Sequence, residues 1–156
     1  MNIQKKTLWK VPLFCGIAGV LVYILSVYIL LRLAIVRLPD GVITADNTRV
    51  LIIYGALFVG TLLIGGLVFL RNMARKEIFF SASIVVLYGA ILIFIQWAFN
   101  LTTGPGAIWM IYLFRPFEWC SVVPLIFFRI NDNFWIGVAV QVLTPYLFVL
   151  FGKRSK

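Results

Sequence analysis

The sequence contains no histidine, only two cysteines and few charged residues. Asp and Glu number 5 among 156 residues, and charged residues make up 12% of the chain. The lack of histidine removes a common zinc ligand and the commonest general base. Cys15 and Cys120 form neither a disulfide framework nor a pair at metal-ligand spacing. We therefore expect no metal, no cofactor and no histidine-dependent chemistry.

The acidic residues show no arrangement typical of an active site. Asp40, Asp46, Glu118 and Asp132 lack the spacing of paired catalytic carboxylates, and a Ser or Cys nucleophile would have no histidine base. The sequence also has no phosphate-binding P-loop, so any primary transport would need a separate motor subunit. We therefore predict that the protein is not an enzyme.

Hydrophobic residues dominate what is present. They make up 63% of the chain, and the mean hydropathy is +1.05. A soluble domain of this length buries only about two thirds of its surface, so lipid must cover much of the apolar remainder. The net charge is +9, but the basic residues lie in short clusters beside apolar runs, which excludes a nucleic-acid partner. The sequence predicts one transmembrane domain over residues 1–156.

Four apolar runs are long enough to cross about 30 Å of hydrocarbon as helices. Strands would leave unpaired backbone groups in lipid, so an all-α bundle is expected. The first run is longer than the roughly 7 to 15 apolar residues of a signal peptide and is expected to remain in the protein. The predicted spans are residues 11–31, 50–70, 78–99 and 134–151.

The distribution of Lys and Arg predicts that both termini lie in the cytoplasm of a cell, because cytoplasmic loops are enriched in these residues. We expect a multi-pass protein of the plasma membrane, specifically of a bacterial cytoplasmic membrane. The cytoplasmic side would hold nine basic residues: Lys5, Lys6, Lys10, Arg71, Arg75, Lys76, Lys153, Arg154 and Lys156. The outer side would hold five: Arg32, Arg37, Arg49, Arg115 and Arg129.

Residues 107–128 are apolar except for Arg115 and Glu118 in the middle. A fifth span is one alternative, but it would place both charges near the bilayer centre at about 2.5 to 3.5 kcal/mol each. We favour two short segments, re-entrant or lying in the outer interface, with Pro116 at the turn. In that arrangement the aromatic residues Trp109, Tyr112 and Trp119 would anchor the segment at headgroup level.

Small and polar residues recur on one face of each predicted span and favour close helix packing. The expected interior positions are Gly16, Gly19, Tyr23, Ser26, Ala56, Gly60, Thr61, Gly65, Ala82, Gly89, Gln96, Asn100, Gly137, Gln141 and Thr144. Between the first two spans, Pro39-Asp40-Gly41 is a turn signal in a short connector. Asp132 or Asn133 is expected to cap the last helix.

Polar residues in the apolar segments are the candidates for a binding site. Pro145 cannot donate a hydrogen bond to the Gln141 carbonyl, which frees that carbonyl for a polar pocket or for a kink stabilised by a neighbour. If residues 107–128 are re-entrant, they could face an outward-open cavity for a small polar molecule or a lipid headgroup. The candidate ligand-binding residues are Gln96, Asn100, Arg115, Glu118, Gln141 and Thr144.

Two functions follow from these features. The first is a non-enzymatic accessory, assembly or immunity-type component that acts through helix–helix contacts. Its expected partners are the lipid bilayer and either a partner membrane protein or further copies of itself. The alternative is a small transporter or a solute- or lipid-binding membrane subunit with an outward-facing polar pocket.

Overall fold

A computed structural model of the chain describes residues 5–39 and 41–153. Within these ranges four helices are long and apolar enough to span a membrane: Lys10–Leu33, Asn47–Leu70, Arg75–Ala98 and Phe134–Phe151. Their ends lie within three residues of the predicted runs. The mostly helical fold is therefore compatible with the predicted all-α membrane protein. Asp40, Arg154 and Lys156 lie outside the described residues.

The surface of these helices is strongly apolar. Among many exposed side chains, Leu150 is 70%, Val68 66% and Phe94 63% accessible. Monomeric soluble proteins rarely expose contiguous apolar patches larger than a few hundred Å², so this surface fits a lipid environment.

The first long helix, α2 (Lys10–Leu33), follows a single turn, α1 (Lys5–Leu8). A short antiparallel hairpin, β1 (Ile35–Arg37) with β2 (Ile43–Ala45), then connects α2 to the next helix, with Val36 opposite Thr44. Gly41 adopts a φ of 83°, which favours glycine, at the predicted turn. The sequence analysis predicted the turn but not the strands, since three-residue strands leave little pattern to detect.

Two of the long helices change their winding along their length. Helix α3 (Asn47–Ile64) continues as a π-helical turn over Gly65–Leu70, and α7 (Phe134–Leu143) continues as a 3-10 helix over Thr144–Phe151. The second change coincides with Pro145, which has no N–H for an α-helical hydrogen bond. Helix α4 (Arg75–Ala98) is regular throughout.

Residues 104–131 form a broken helical segment instead of a fifth long helix. Helices α5 (Gly104–Leu113) and α6 (Val122–Asn131) are joined by a 3-10 helix over Arg115–Cys120, which we call the central turn. Pro116 lies in that turn, as predicted. Both helices of the segment are too short to cross a bilayer, since ten residues extend only about 15 Å.

One end of the bundle brings the first helices, the loop after the π-helical turn and the end of the last helix together. The Ser81 hydroxyl accepts a hydrogen bond from the Val11 N–H at 3.1 Å and donates one to the Leu8 carbonyl at 2.7 Å. The Arg75 N–H donates to the Lys153 carbonyl at 3.1 Å. The basic residues Lys10, Arg71, Arg75, Lys76 and Lys153 therefore belong to the same end of the molecule.

The predicted packing positions divide into two groups. Eight are buried: Gly19, Ser26, Gly65, Ala82, Gly89, Gly137, Gln141 and Thr144. By contrast, Ala56 is exposed and a Cβ at Gly60 would meet no atom within 4 Å. Ala56 and Gly60 are therefore not packed tightly against a neighbouring helix, and no residue of α3 is buried.

Candidate functional site

The central turn lies at the level of the middle of the long helices. The backbone carbonyl of Arg115 occupies the place that a Cβ at Gly19 would take, and the Phe117 ring lies 2.6 Å from where a Cβ at Gly89 would be. Gly19 is nine residues into the 24-residue α2, and Gly89 is fourteen residues into the 24-residue α4. The two glycines therefore allow the turn to pack in the interior of the bundle.

Both ends of residues 104–131 lie on the same side of the central turn. Helix α5 begins six residues after the end of α4, and α6 ends three residues before α7 begins. Helices α6 and α7 pack antiparallel, with Pro124 against Gly137. Residues 104–131 thus form a helical hairpin whose open end faces away from the basic end of the bundle. This geometry corresponds to the re-entrant version of the predicted segment.

Arg115 and Glu118 form an ion pair at the tip of the hairpin. The Arg115 Nη1 lies 3.3 Å from the Glu118 Oε2, and the two side chains are 15% and 19% exposed. The Arg115 guanidinium also stacks on the Tyr23 ring, 3.3 Å from its centroid. Pairing and stacking both reduce the cost of placing these charges away from water.

Two short segments were predicted partly because they would keep this pair away from the bilayer centre. The structure instead places the pair level with the middle of the long helices. The pair is tolerated there because protein groups surround it: the Tyr54 hydroxyl and the Ser121 hydroxyl lie beside the Glu118 carboxylate. Ser26 lies beside Tyr54 on the neighbouring helix.

A cavity of about 450 Å³ opens between α3, α4, the hairpin and α7. Glu118, Ser121, Tyr54 and Gln141 provide polar groups deep in this cavity, and Gln96 lies nearer the open end of the hairpin. The remaining wall is mainly apolar and includes Val50, Met110, Phe114, Leu125, Phe134, Trp135 and Val138. Its volume and its few polar groups are typical of small-molecule binding sites.

The structure brings together three of the six predicted ligand-binding residues in this cavity: Gln96, Glu118 and Gln141. Arg115 lies directly behind Glu118 as its ion-pair partner. Asn100 is exposed at the end of α4 with a φ of 50° and does not line the cavity. Thr144 does not line it either, and its hydroxyl donates a hydrogen bond to the Val140 carbonyl of its own helix at 3.1 Å.

Gln141 connects α7 to the central turn. Its Nε2 donates a hydrogen bond to the Phe117 carbonyl at 2.9 Å. The Gln141 carbonyl, which Pro145 leaves without its α-helical partner, accepts from the Thr144 N–H and lies 3.8 Å from the Cys120 Sγ. The freed carbonyl therefore has its partners within the protein, where the helix changes to 3-10 winding.

Two aromatic residues have roles that the sequence did not reveal. Trp119 was predicted as a headgroup-level anchor, and this prediction is wrong, because the residue is 1% exposed and packs between Phe58 and Phe148 at centroid distances of 5.8 and 5.2 Å. Tyr54 was not singled out, although a tyrosine in an apolar helix often has a buried partner for its hydroxyl. Trp109 and Tyr112 are exposed, as expected of anchors.

Asp46 and Asn133, which lie toward the open end of the hairpin, act as helix caps. Asp46 caps α3 by accepting from the N–H groups of Thr48 and Arg49 at 2.9 and 3.2 Å, and it pairs with the Arg49 side chain. Asn133 caps α7 by accepting from the Ile136 N–H at 3.2 Å, which confirms the predicted cap. In the described ranges, no three His, Cys, Asp or Glu side chains come together as a metal site would require.

No protein-family model matches the chain, and no curated protein or solved structure is significantly similar to it.

Proposed function

We propose that the chain is a small, non-enzymatic membrane subunit that binds an amphipathic small molecule in the cavity between the hairpin and α3, α4 and α7. The observation that carries this proposal is the position of the Arg115–Glu118 pair. An ion pair in an apolar segment is costly, and here its carboxylate lies on the wall of a cavity instead of being enclosed by packing.

The proposed topology places both termini in the cytoplasm and the cavity mouth on the outer face of the plasma membrane. Seven basic residues belong to the end that contains α1 and Lys153, including Lys5 and Lys6 of α1, and Glu77 is the one acid there among the described residues. Glu77 accepts a hydrogen bond from the Ala74 N–H at 3.1 Å and so caps its own helix. An excess of Lys and Arg at one end supports a cytoplasmic location for that end.

The lining indicates the chemical class of the ligand. Met110, Phe114 and Trp135 suit an apolar body, and Tyr54, Ser121 and Glu118 suit a hydroxyl or amine at one end. Because the Glu118 carboxylate is already paired with Arg115, a neutral hydrogen-bond donor fits as well as a cation. We expect alkyl alcohols, alkyl amines or lysophospholipids to bind better than multiply charged metabolites.

Thermal unfolding of the purified protein in detergent tests this proposal. A ligand present at 100 times its Kd stabilises the folded state by about 2.7 kcal/mol, which is a readily measured shift of the midpoint. The panel should contain graded series of these three compound classes together with polar metabolites. If no compound shifts the wild-type midpoint, the binding proposal fails.

Two variants that each lack one tyrosine hydroxyl locate the site of any compound that stabilises the protein. Tyr54→Phe removes a hydroxyl that lines the cavity, whereas Tyr28→Phe removes one from an exposed tyrosine of α2 that does not. We expect the ligand-induced shift to fall in Tyr54→Phe and Glu118→Gln and to persist in Tyr28→Phe. Equal shifts in all three variants would place the ligand elsewhere.

The second candidate function is assembly with another membrane protein through α3. It is favoured by the complete lack of buried residues in that helix. A photo-crosslinking residue at Ile52, which is 65% exposed, should then trap a defined partner or a second copy in native membranes. A probe at the equally exposed Phe94 on α4 provides the control, and capture of the same products from both positions would count against a specific α3 interface.

A further inference from the structure

We infer that an anionic phospholipid binds in the groove between α2 and α3, with its phosphate at Lys10 and one acyl chain along the groove. This groove is separate from the cavity of the proposed function. It has a volume of about 690 Å³ and is bordered by one charged side chain, that of Lys10. Its other lining residues are almost all apolar and include Leu13, Ile17, Leu21, Leu25, Ile64 and Val68.

The groove exists because small residues of α3 face α2. Ala56 and Gly60 line it, and a Cβ at Gly60 would meet no atom within 4 Å. Nearer the basic end the two helices close up, since a Cβ at Gly65 would lie 2.6 Å from the Phe14 ring. The floor of the seam is therefore closed at the level of Phe14 and open at the level of Gly60. The groove itself continues past both levels, since Lys10 and Val68 also line it.

The dimensions fit an acyl chain of a single leaflet. Lining residues on α2 extend from Lys10 to Leu25, which is about 22 Å along a helix. One leaflet contributes about 15 Å of the hydrocarbon thickness. A chain that begins at the level of Lys10 can therefore lie in the groove over the full depth of its leaflet.

Charge selects an anionic headgroup. Lys10 is exposed and, among the described residues, no carboxylate forms an ion pair with it. At the same end of the bundle, Arg71 and Lys153 add further exposed positive charge. Basic residues beside grooves between transmembrane helices on the cytoplasmic side are a recurring binding arrangement for anionic lipids.

The test is lipid retention measured by native mass spectrometry of the full chain, titrated in detergent with phosphatidylglycerol or phosphatidylcholine. We expect one retained phosphatidylglycerol per chain and weaker retention of phosphatidylcholine. A basic residue near the membrane surface contributes about 1 kcal/mol to anionic lipid binding, so Lys10→Gln should weaken phosphatidylglycerol binding about fivefold. Lys76→Gln is the matched control, because Lys76 is exposed at the same end but does not line the groove.

A second pair of variants tests the acyl-chain part of the site. Gly60→Leu should fill the groove and reduce retention of both lipids, whereas Gly55→Leu, at an equally open glycine of α3 outside the groove, should not. The inference is overturned by equal retention of the two lipids in the wild type, by equal effects of the two lysine variants, or by equal effects of the two glycine variants. A wild-type dimer that Gly60→Leu dissociates without any loss of lipid would also overturn it, in favour of a second copy in the groove.

Discussion

Gly19→Ala tests whether the hairpin tip is held against the middle of α2. In the structure the Arg115 carbonyl oxygen lies where the alanine Cβ would be, with the Pro116 Cα only 3.1 Å from it. Both atoms belong to the backbone, so no rotation of a side chain can relieve the overlap. The hairpin must move as a unit, and we expect a loss near the upper end of the range for overpacking, about 3 kcal/mol.

Gly16→Ala is the matched control, because it makes the same change one helical turn earlier. A Cβ at Gly16 would meet no atom within 4 Å. Replacing glycine by alanine in a helix is favourable by up to about 1 kcal/mol, so this variant should be as stable as the wild type or more stable. The two variants should therefore differ by about 3 to 4 kcal/mol in free energy of unfolding.

Unfolding by a denaturing detergent titrated into mild micelles measures this difference, and the native thiols provide a second readout. Cys15 and Cys120 are both free and fully buried, and Cys120 lies in the central turn. A thiol reagent should therefore react slowly with the wild type and with Gly16→Ala but faster with Gly19→Ala. If the two glycine variants have the same stability and the same thiol reactivity, the hairpin tip does not contact α2 as described.

Three further predictions concern the ion pair, the support of the turn and the topology. Arg115→Met leaves the partly buried Glu118 carboxylate unpaired and should cost about 3 kcal/mol in free energy of unfolding, whereas the double variant with Glu118→Met should cost less. An additive double variant would show that the pair is not coupled. Gln141→Leu removes a buried hydrogen bond to the central turn and should cost about 1 to 2 kcal/mol by the same unfolding titration, and an unchanged stability would mean that α7 does not support the turn. In a cysteine-free background, Asp132→Cys should react with an impermeant reagent on intact cells and Lys153→Cys only after permeabilisation; the reverse pattern would overturn the proposed threading.

The long helices could be predicted from the sequence because lipid imposes a strong and local rule. Each backbone group in hydrocarbon must find its partner within its own helix, so an apolar run of sufficient length is enough evidence. The last span illustrates this, since its predicted limits of 134 and 151 are those of the helical region in the structure. The strands at 35–37 and 43–45 escaped prediction because three residues are too few to show an alternating pattern.

The candidate site was predictable only in part, because depth in the bundle is not a local property. Gln96, Glu118 and Gln141 stand out in the sequence as polar groups in apolar surroundings, and they do line one cavity. Asn100 and Thr144 stand out in the same way, but Asn100 lies beyond the helix end and Thr144 bonds within its own helix. The spacing of residues in the sequence shows which of them share a face of a helix. Tertiary contacts decide which parts of that face border a cavity.

Trp119 was misassigned for a related reason. Its neighbours in the sequence, Arg115 and Glu118, suggested an interfacial position, where tryptophan is common. The hairpin instead carries it past the ion pair toward the basic end, where it is buried against Phe58 and Phe148. A composition rule for interfaces cannot detect a turn that folds back inside the bundle.

The position of Trp119 also bears on the choice between binding and conduction. Phe148 lies fourteen residues into the last span, deeper than Gln141, and its ring packs on Phe14 at 5.5 Å as well as on Trp119. Phe117, Trp119 and Phe148 are each at most 1% exposed, so these rings are packed without accessible space around them. A molecule could pass between them only if the central turn left its contacts with Gly19 and Gly89. The tight packing at both glycines therefore favours a pocket that binds and releases on one side.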